Sequence, residues 1–144
     1  MTPEALFLVC NNVALLCWIL LVLLPRYEIS SRLIIPVVAC SLLACLYLYL
    51  LITSLGDVEG GFTSLDGIAS LFQKRQALLA GWIHYLVFDL FIGCWEVRDA
   101  KRNGIPHLLI VPALLLTFLL GPIGLLTYFL IRYIKLRRLD IGEV

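Results

Sequence analysis

Four apolar stretches, residues 5–24, 33–55, 77–97 and 107–131, divide the chain into hydrophobic blocks separated by short polar ones. Each is close to the roughly 20 residues a helix needs to cross a hydrocarbon core of about 30 Å. None shows the period-two alternation of a strand, and an open sheet edge would find no hydrogen-bond partners in lipid. The pattern predicts an all-α polytopic integral membrane protein, a single domain of four transmembrane helices in one small bundle over residues 1–144. The longest polar stretch, 56–76, is Gly-rich and acidic in its first half. Its second half sets Leu65, Ile68, Ala69 and Phe72 on one side. That predicts a short interfacial helix over 64–72, with Thr63 and Asp66 as its start signal.

Composition agrees: 62% of residues are apolar and 15% charged, with a mean hydropathy of +1.01, where soluble domains carry about 25% charge. Lipid must therefore cover much of the surface. A net charge of +1, with no RNP pattern, zinc finger or basic helix, argues against a nucleic-acid partner. The five cysteines, Cys10, Cys17, Cys40, Cys45 and Cys94, lie in apolar runs, are odd in number and form no CxxC. They read as small apolar side chains rather than disulfides or metal ligands. No Lys or Arg precedes the first block, as a secretory signal would require, and no Arg- and Ser-rich transit peptide is present. The first block is thus expected to be a retained helix of a protein in a bacterial plasma membrane or thylakoid, or of a mature plastid form.

Polar residues inside the blocks mark candidate chemistry. Asn11 and Trp18, seven apart, share a helix face, and Asn11 is expected to bond another helix or a ligand. Pro25 is expected to end the first helix. Ser41, Ala44 and Cys45 form a small-residue strip suited to close helix approach. In the third block, at about 100° per residue, His84, Phe88, Phe91 and Trp95 fall within about 60° of one another. Asp89 lies about 140° from His84, on a stripe with Trp82, Tyr85 and Glu96. His84 and Asp89 therefore need separate partners, and ionisable groups in membrane helices usually face a protein interior or a wet cavity.

Glu96, Arg98 and Asp99 stand near the membrane boundary and are expected to be solvated. Asn103-Gly104 supplies a turn and Pro106 opens the fourth block, so Asp99 and His107 share one level, too few for a metal site. Asp57, Glu59 and Asp66 match no EF-hand spacing and suit a solvated or lid loop better than a cation site. Pro112 and Gly121-Pro122-Ile123-Gly124 predict a kinked fourth helix, with Thr117 placed to take up a freed carbonyl. Four crossings would place Lys74, Arg75, Arg132, Lys135, Arg137 and Arg138 on one side. Arg26, Arg32, Arg98, Lys101 and Arg102 would lie on the other, a near-even split that sets no orientation.

The stretches GWIHYLVFDLFIG (81–93), Trp95 with RDA (98–100), GIPHLLIVP (104–112) and TFLLGPIGLL (117–126) resemble the abscisic-acid-deficient-four family. These are plant plastid membrane proteins associated with neoxanthin synthesis, together with their bacterial relatives. Asn11, Trp18, Pro25 and GGFTSLDGI in the loop are similar too, so the likeness covers nearly the whole chain. The resemblance implies conversion of a violaxanthin-type epoxide into an allene, an isomerisation that needs no redox cofactor. It does need an acid for the epoxide oxygen and a base for a polyene proton. Asp89, His84 and Glu96 are the residues able to play those parts. Asn11, Trp18, Trp82, Phe88, Phe91, Trp95, Arg98, Asp99 and His107 are candidates for holding the pigment. The implied partners are the bilayer and a carotenoid or other isoprenoid lipid, and a homo-oligomer is open. The competing readings are a non-catalytic pigment- or lipid-binding subunit and, more remotely, a small transporter, which the lack of an inverted repeat disfavours.

Overall fold

The computed structural model of the chain describes residues 2–24, 29–55 and 62–138. It is all-helical among them, an apolar bundle of the kind the hydrophobic blocks predict. Helix α1 spans Pro3–Leu23: Thr2 caps it by accepting from the Ala5 N–H at 3.3 Å, and Pro3 stands where a missing N–H costs nothing. A π-wound stretch, Ser30–Ala39, contains Pro36 and leads without interruption into α2, Cys40–Leu55. Helix α3 is Leu65–Phe72, α4 is Arg75–Arg102, α5 is His107–Leu120 and α6 is Pro122–Leu136. Three helical spans, Pro3–Leu23, Ser30–Ser54 and Arg75–Arg102, are long and apolar enough to cross a membrane.

Helix α4 is the axis. α1 runs beside it in the same direction: Glu4 pairs with Arg75 at one end, and Trp82 Nε1 donates to Asn11 Oδ1 at 2.9 Å. Further along, the Trp18 ring lies over Gly93, where a Cβ would stand only 2.6 Å from it. The second span runs the other way, with Arg98 Nη1 on Ser31 O at 2.8 Å, Cys40 Sγ on Val87 O at 3.7 Å, and Tyr47 against His84 at 5.9 Å. We call the end that carries α3 the α3 face and the opposite end the turn face.

The fourth block departs from its expected path. α5 leaves the turn face and runs through Pro112 as α-helix, but the chain reverses at Gly121, whose φ of +48° and ψ of −97° suit a residue without a Cβ. Pro122 then opens α6 at a position that needs no N–H. Gly124 packs on the Thr117 backbone, leaving no room for a side chain. The 14 residues of α5 rise about 21 Å, which matches the distance along α4 from Arg102 back to Asp89. Gly121 accordingly sits against the Asp89 carboxylate. α6 returns: Arg132 Nε reaches Asp99 Oδ2 at 2.9 Å, and Arg138 Nη2 reaches Asn103 Oδ1 at 3.3 Å. The Pro/Gly motif therefore turns the helix back on itself instead of kinking a fourth crossing. Residues 2 and 138 end on opposite faces.

A buried polar seam holds this hairpin to α4. Tyr128 Oη donates to Asp99 Oδ2 at 2.5 Å beside the Arg132 contact, and Asn103 Nδ2 donates to Asp99 Oδ1 at 3.1 Å. Thr117 Oγ1 donates to Glu96 at 3.0 Å, and both side chains are fully buried. The expectation of solvated carboxylates at 96 and 99 is overturned, because α5 and α6 cover them. Thr117 serves Glu96 with its hydroxyl and accepts the Gly121 N–H on its carbonyl at 2.9 Å. It does not take over a carbonyl freed by proline.

Two smaller expectations change as well. Ser41, Ala44 and Cys45 face outward, and α2 packs through Cys40, Leu43 and Leu50. The other four cysteines are buried. Ser64, not Thr63, caps α3, accepting from the Gly67 N–H at 3.1 Å, while Leu65 is exposed and Leu71 buried. Pro25, Arg26, Asp57 and Glu59 lie outside the described residues.

Candidate functional site

Because the α5–α6 hairpin climbs only to the level of Asp89, the groove between α1 and α4 has no third helix over its half toward the α3 face. A cleft of about 690 Å³ occupies that space. Phe7, Leu8, Leu78, Trp82 and Tyr85 form its walls, Phe72 of α3 closes one side, and the Glu4–Arg75 ion pair marks its mouth. The Asn11–Trp82 hydrogen bond lies along this groove and satisfies an amide that hydrocarbon would otherwise leave unpaired. The cleft is therefore apolar in its walls and polar at one end.

Tyr85 at its inner end leads to a buried carboxyl, that of Asp89. Tyr85 lines the cleft, donates to Phe118 O at 3.3 Å and stands beside the Asp89 carboxyl one helical turn on. Asp89 is half-buried, and its Oδ2 is the one buried side-chain oxygen or nitrogen among the described residues without a hydrogen-bond partner. Buried polar atoms are nearly always paired, and an unpaired one calls for an explanation. Gly121 at the hairpin tip packs against the same carboxyl and forms its floor.

The structure gathers some of the candidate residues and separates others. Asn11, Trp82 and Asp89 lie along the α1–α4 groove, with Trp18 sealed beneath it against Gly93 and, at 5.6 Å, Phe118. His84 is on the far side of α4, stacked at 4.6 Å on Phe88 and facing a separate cavity of about 270 Å³ with Tyr47 and Ser54. Phe72 seats in the notch left by Gly81, where a Cβ would meet its ring at 2.7 Å, and divides the two spaces. Phe88 and Phe91 are 56% and 47% exposed on the outer surface and line neither of these two spaces. Trp95 turns inward and meets Tyr128 edge-on at 5.3 Å.

Glu96 is closed off by Thr117, Arg98 bonds the Ser31 carbonyl, and Asp99 belongs to the seam. His107 Nε2 lies 3.0 Å from Val22 O and ties α5 to α1, so the expected proximity of Asp99 and His107 leads to no contact between them. Sequence reasoning placed Tyr85 on the Asp89 stripe without giving it a role, and the i, i+4 spacing was the available signal. It missed Gly121 as the floor, because a kinked helix and a reversed one carry the same residues.

The profile of a family described as ABA DEFICIENT 4-like matches residues 5–128, a span that holds Asp89, the hairpin tip and the cleft's lining except Pro3 and Glu4. Protein ABA DEFICIENT 4, chloroplastic, from Arabidopsis thaliana is similar at 30% identity over 139 residues, covering 91% of this chain. The chain spans 62% of the length of that relative. No solved structure matches.

Proposed function

Because this chain belongs to the ABA DEFICIENT 4-like family, we propose that it is a carotenoid-related membrane protein whose cleft isomerises a xanthophyll epoxide to an allene. One end ring enters the cleft and the polyene extends toward its mouth. From Arg75 to Asp89, α4 advances about 21 Å, so a molecule of about 30 Å reaches the floor with one end while the other stays near the headgroups. Asp89, in its acid form, gives its proton to the epoxide oxygen as a ring C–O bond breaks. The other carboxylate oxygen then takes a proton from the neighbouring polyene carbon, and that C–H pair becomes the second double bond of the allene. One proton enters and one leaves, so the product is an isomer and the chemistry calls for no redox partner. Tyr85 orients the carboxyl and excludes water.

The observation that carries this reading is the buried, unpartnered Oδ2 of Asp89, one helical turn beyond Tyr85 of the apolar cleft's lining. Glu96 and His84 have no part in it: Glu96 is occupied by Thr117, and His84 lies across α4. The chloroplastic name of the relative supports placing this chain in a thylakoid-type membrane.

Expression in a bacterial strain that accumulates violaxanthin, with chromatography of the extracted pigments, tests the proposal. A new neoxanthin peak that disappears in Asp89→Asn, but not in the outward-facing Phe91→Leu at equal expression, is the expected result. Stable membrane expression with no new peak removes the unaided isomerase. Pigment that then co-purifies, and is lost on Trp82→Ala, would make the chain a binding subunit.

A further inference from the structure

The reversal at Gly121 changes how the charges divide. With α6 returning to the turn face, Lys74 and Arg75 are the only two of the ten Lys and Arg among the described residues that belong to the α3 face. Arg132 is buried against Asp99. Arg32 and Arg98, the pair Lys101 and Arg102, and Lys135, Arg137 and Arg138 all gather toward the turn face, within a few residues of helix ends. Basic residues flanking the spans resist translocation and are drawn to the anionic inner leaflet, so they stay on the cytoplasmic side. The near-even split that a four-crossing chain would show is replaced by a strong bias. The cleft mouth, at Glu4 and Arg75, opens at the other end.

We propose that the turn face lies on the cytoplasmic, or stromal, side and that the cleft takes its lipid from the opposite leaflet. The sidedness follows from the hairpin and the charges alone. The word lipid rests on the isomerase reading of the cleft given above. Its walls are apolar down to Trp82 and Tyr85, so the molecule that enters travels in the hydrocarbon of that leaflet, with any hydroxyl at its trailing end held among the headgroups beside Glu4 and Arg75. An enzyme of this arrangement works on ring groups displayed in the non-cytoplasmic leaflet. It needs no water-filled route from the basic face, which the buried seam of Glu96, Asp99 and Arg132 closes.

Cysteine accessibility tests the assignment without requiring turnover. The full chain, with its five cysteines changed to Ala, is expressed in a bacterial inner membrane with one new cysteine at a time. Glu4→Cys and Ser70→Cys mark the cleft mouth and α3, and Lys101→Cys marks the turn face. All three positions are exposed. A membrane-impermeant maleimide added to spheroplasts is expected to label Cys at 4 and 70 at least tenfold more than at 101, with 101 labelled only after lysis.

The opposite pattern overturns the leaflet assignment. Labelling of all three from one side overturns the crossing by α4 as well. Should the cysteine-free chain fail to insert, a phosphatase active only outside the cytoplasm, fused after residue 138 of the natural sequence, decides alone. An inactive fusion agrees with the proposal, and an active one refutes it. Because neither readout involves pigment, failure of the isomerase reading shows only in the pigment assay and stays distinguishable.

Discussion

Asp99→Ala measures what holds the hairpin against α4. Three donors converge on this carboxylate: Tyr128 Oη at 2.5 Å, Arg132 Nε at 2.9 Å and Asn103 Nδ2 at 3.1 Å. The Arg132 side chain is 1% exposed. Removing the carboxylate leaves a guanidinium with no countercharge where water cannot replace it, and breaking one half of such a pair costs about 3–5 kcal/mol. Tyr128→Phe removes a single hydrogen bond to a charged group and should cost about 1.5–3 kcal/mol.

Asp99→Leu with Arg132→Met removes both charges and the desolvation they carry. The double variant is therefore expected to be milder than either of its single changes. The assay is thermal unfolding of the purified protein in detergent. At about 2–4 °C per kcal/mol for a domain near this size, Asp99→Ala should lower the midpoint by roughly 10 °C. A midpoint equal to that of the exposed Lys101→Ala would refute the reasoning. So would a double variant whose loss equals the sum of its parts, because the pair would then carry no coupling.

Gly121→Ala should lose about 1–3 kcal/mol from backbone strain at positive φ, and its Cβ would stand 3.0 Å from Asp89 Oδ1. Lower thermal stability together with reduced pigment conversion is the expected result, and a variant as active and stable as the parent would place the turn elsewhere. Gly93→Ala drives a methyl into the Trp18 ring and should cost about 1–3 kcal/mol by overpacking, partly recovered when Trp18→Leu is added. Thermal unfolding of the three variants checks this. Thr117→Val strips buried Glu96 of its donor at 3.0 Å and should destabilise by about 1–3 kcal/mol, while Thr117→Ser keeps most of the stability. His84→Ala, across α4 from the cleft, should leave the yield of the pigment assay within about twofold, whereas a loss as deep as that of Asp89→Asn would move the chemistry to the α2 side.

Much of the molecule was legible before any contact was known. Hydrophobic block length alone specified long membrane helices, because a helix is the one open-ended structure whose backbone satisfies itself in lipid. The cost of an unpaired amide required Asn11 to face a neighbour, and Trp82 meets it. The angular separation of His84 and Asp89 required different partners, and His84 lines the cavity on the α2 side while Asp89 packs against Gly121. Asp89 stood out because a carboxyl inside an apolar run has few cheap environments.

What a one-dimensional pattern does not carry is direction. A block of 25 apolar residues interrupted by Gly-Pro reads alike whether it crosses, kinks or reverses. The choice lay in whether Arg132, Tyr128 and Arg138 found better partners in headgroups or on Asp99 and Asn103. The tertiary structure chose the latter, since the hairpin brings Tyr128 and Arg132 onto Asp99, whereas a full crossing would leave that carboxylate without them. That choice emptied the groove above Asp89 and made the cleft. It also moved α6, with its basic residues, from one face of the protein to the other.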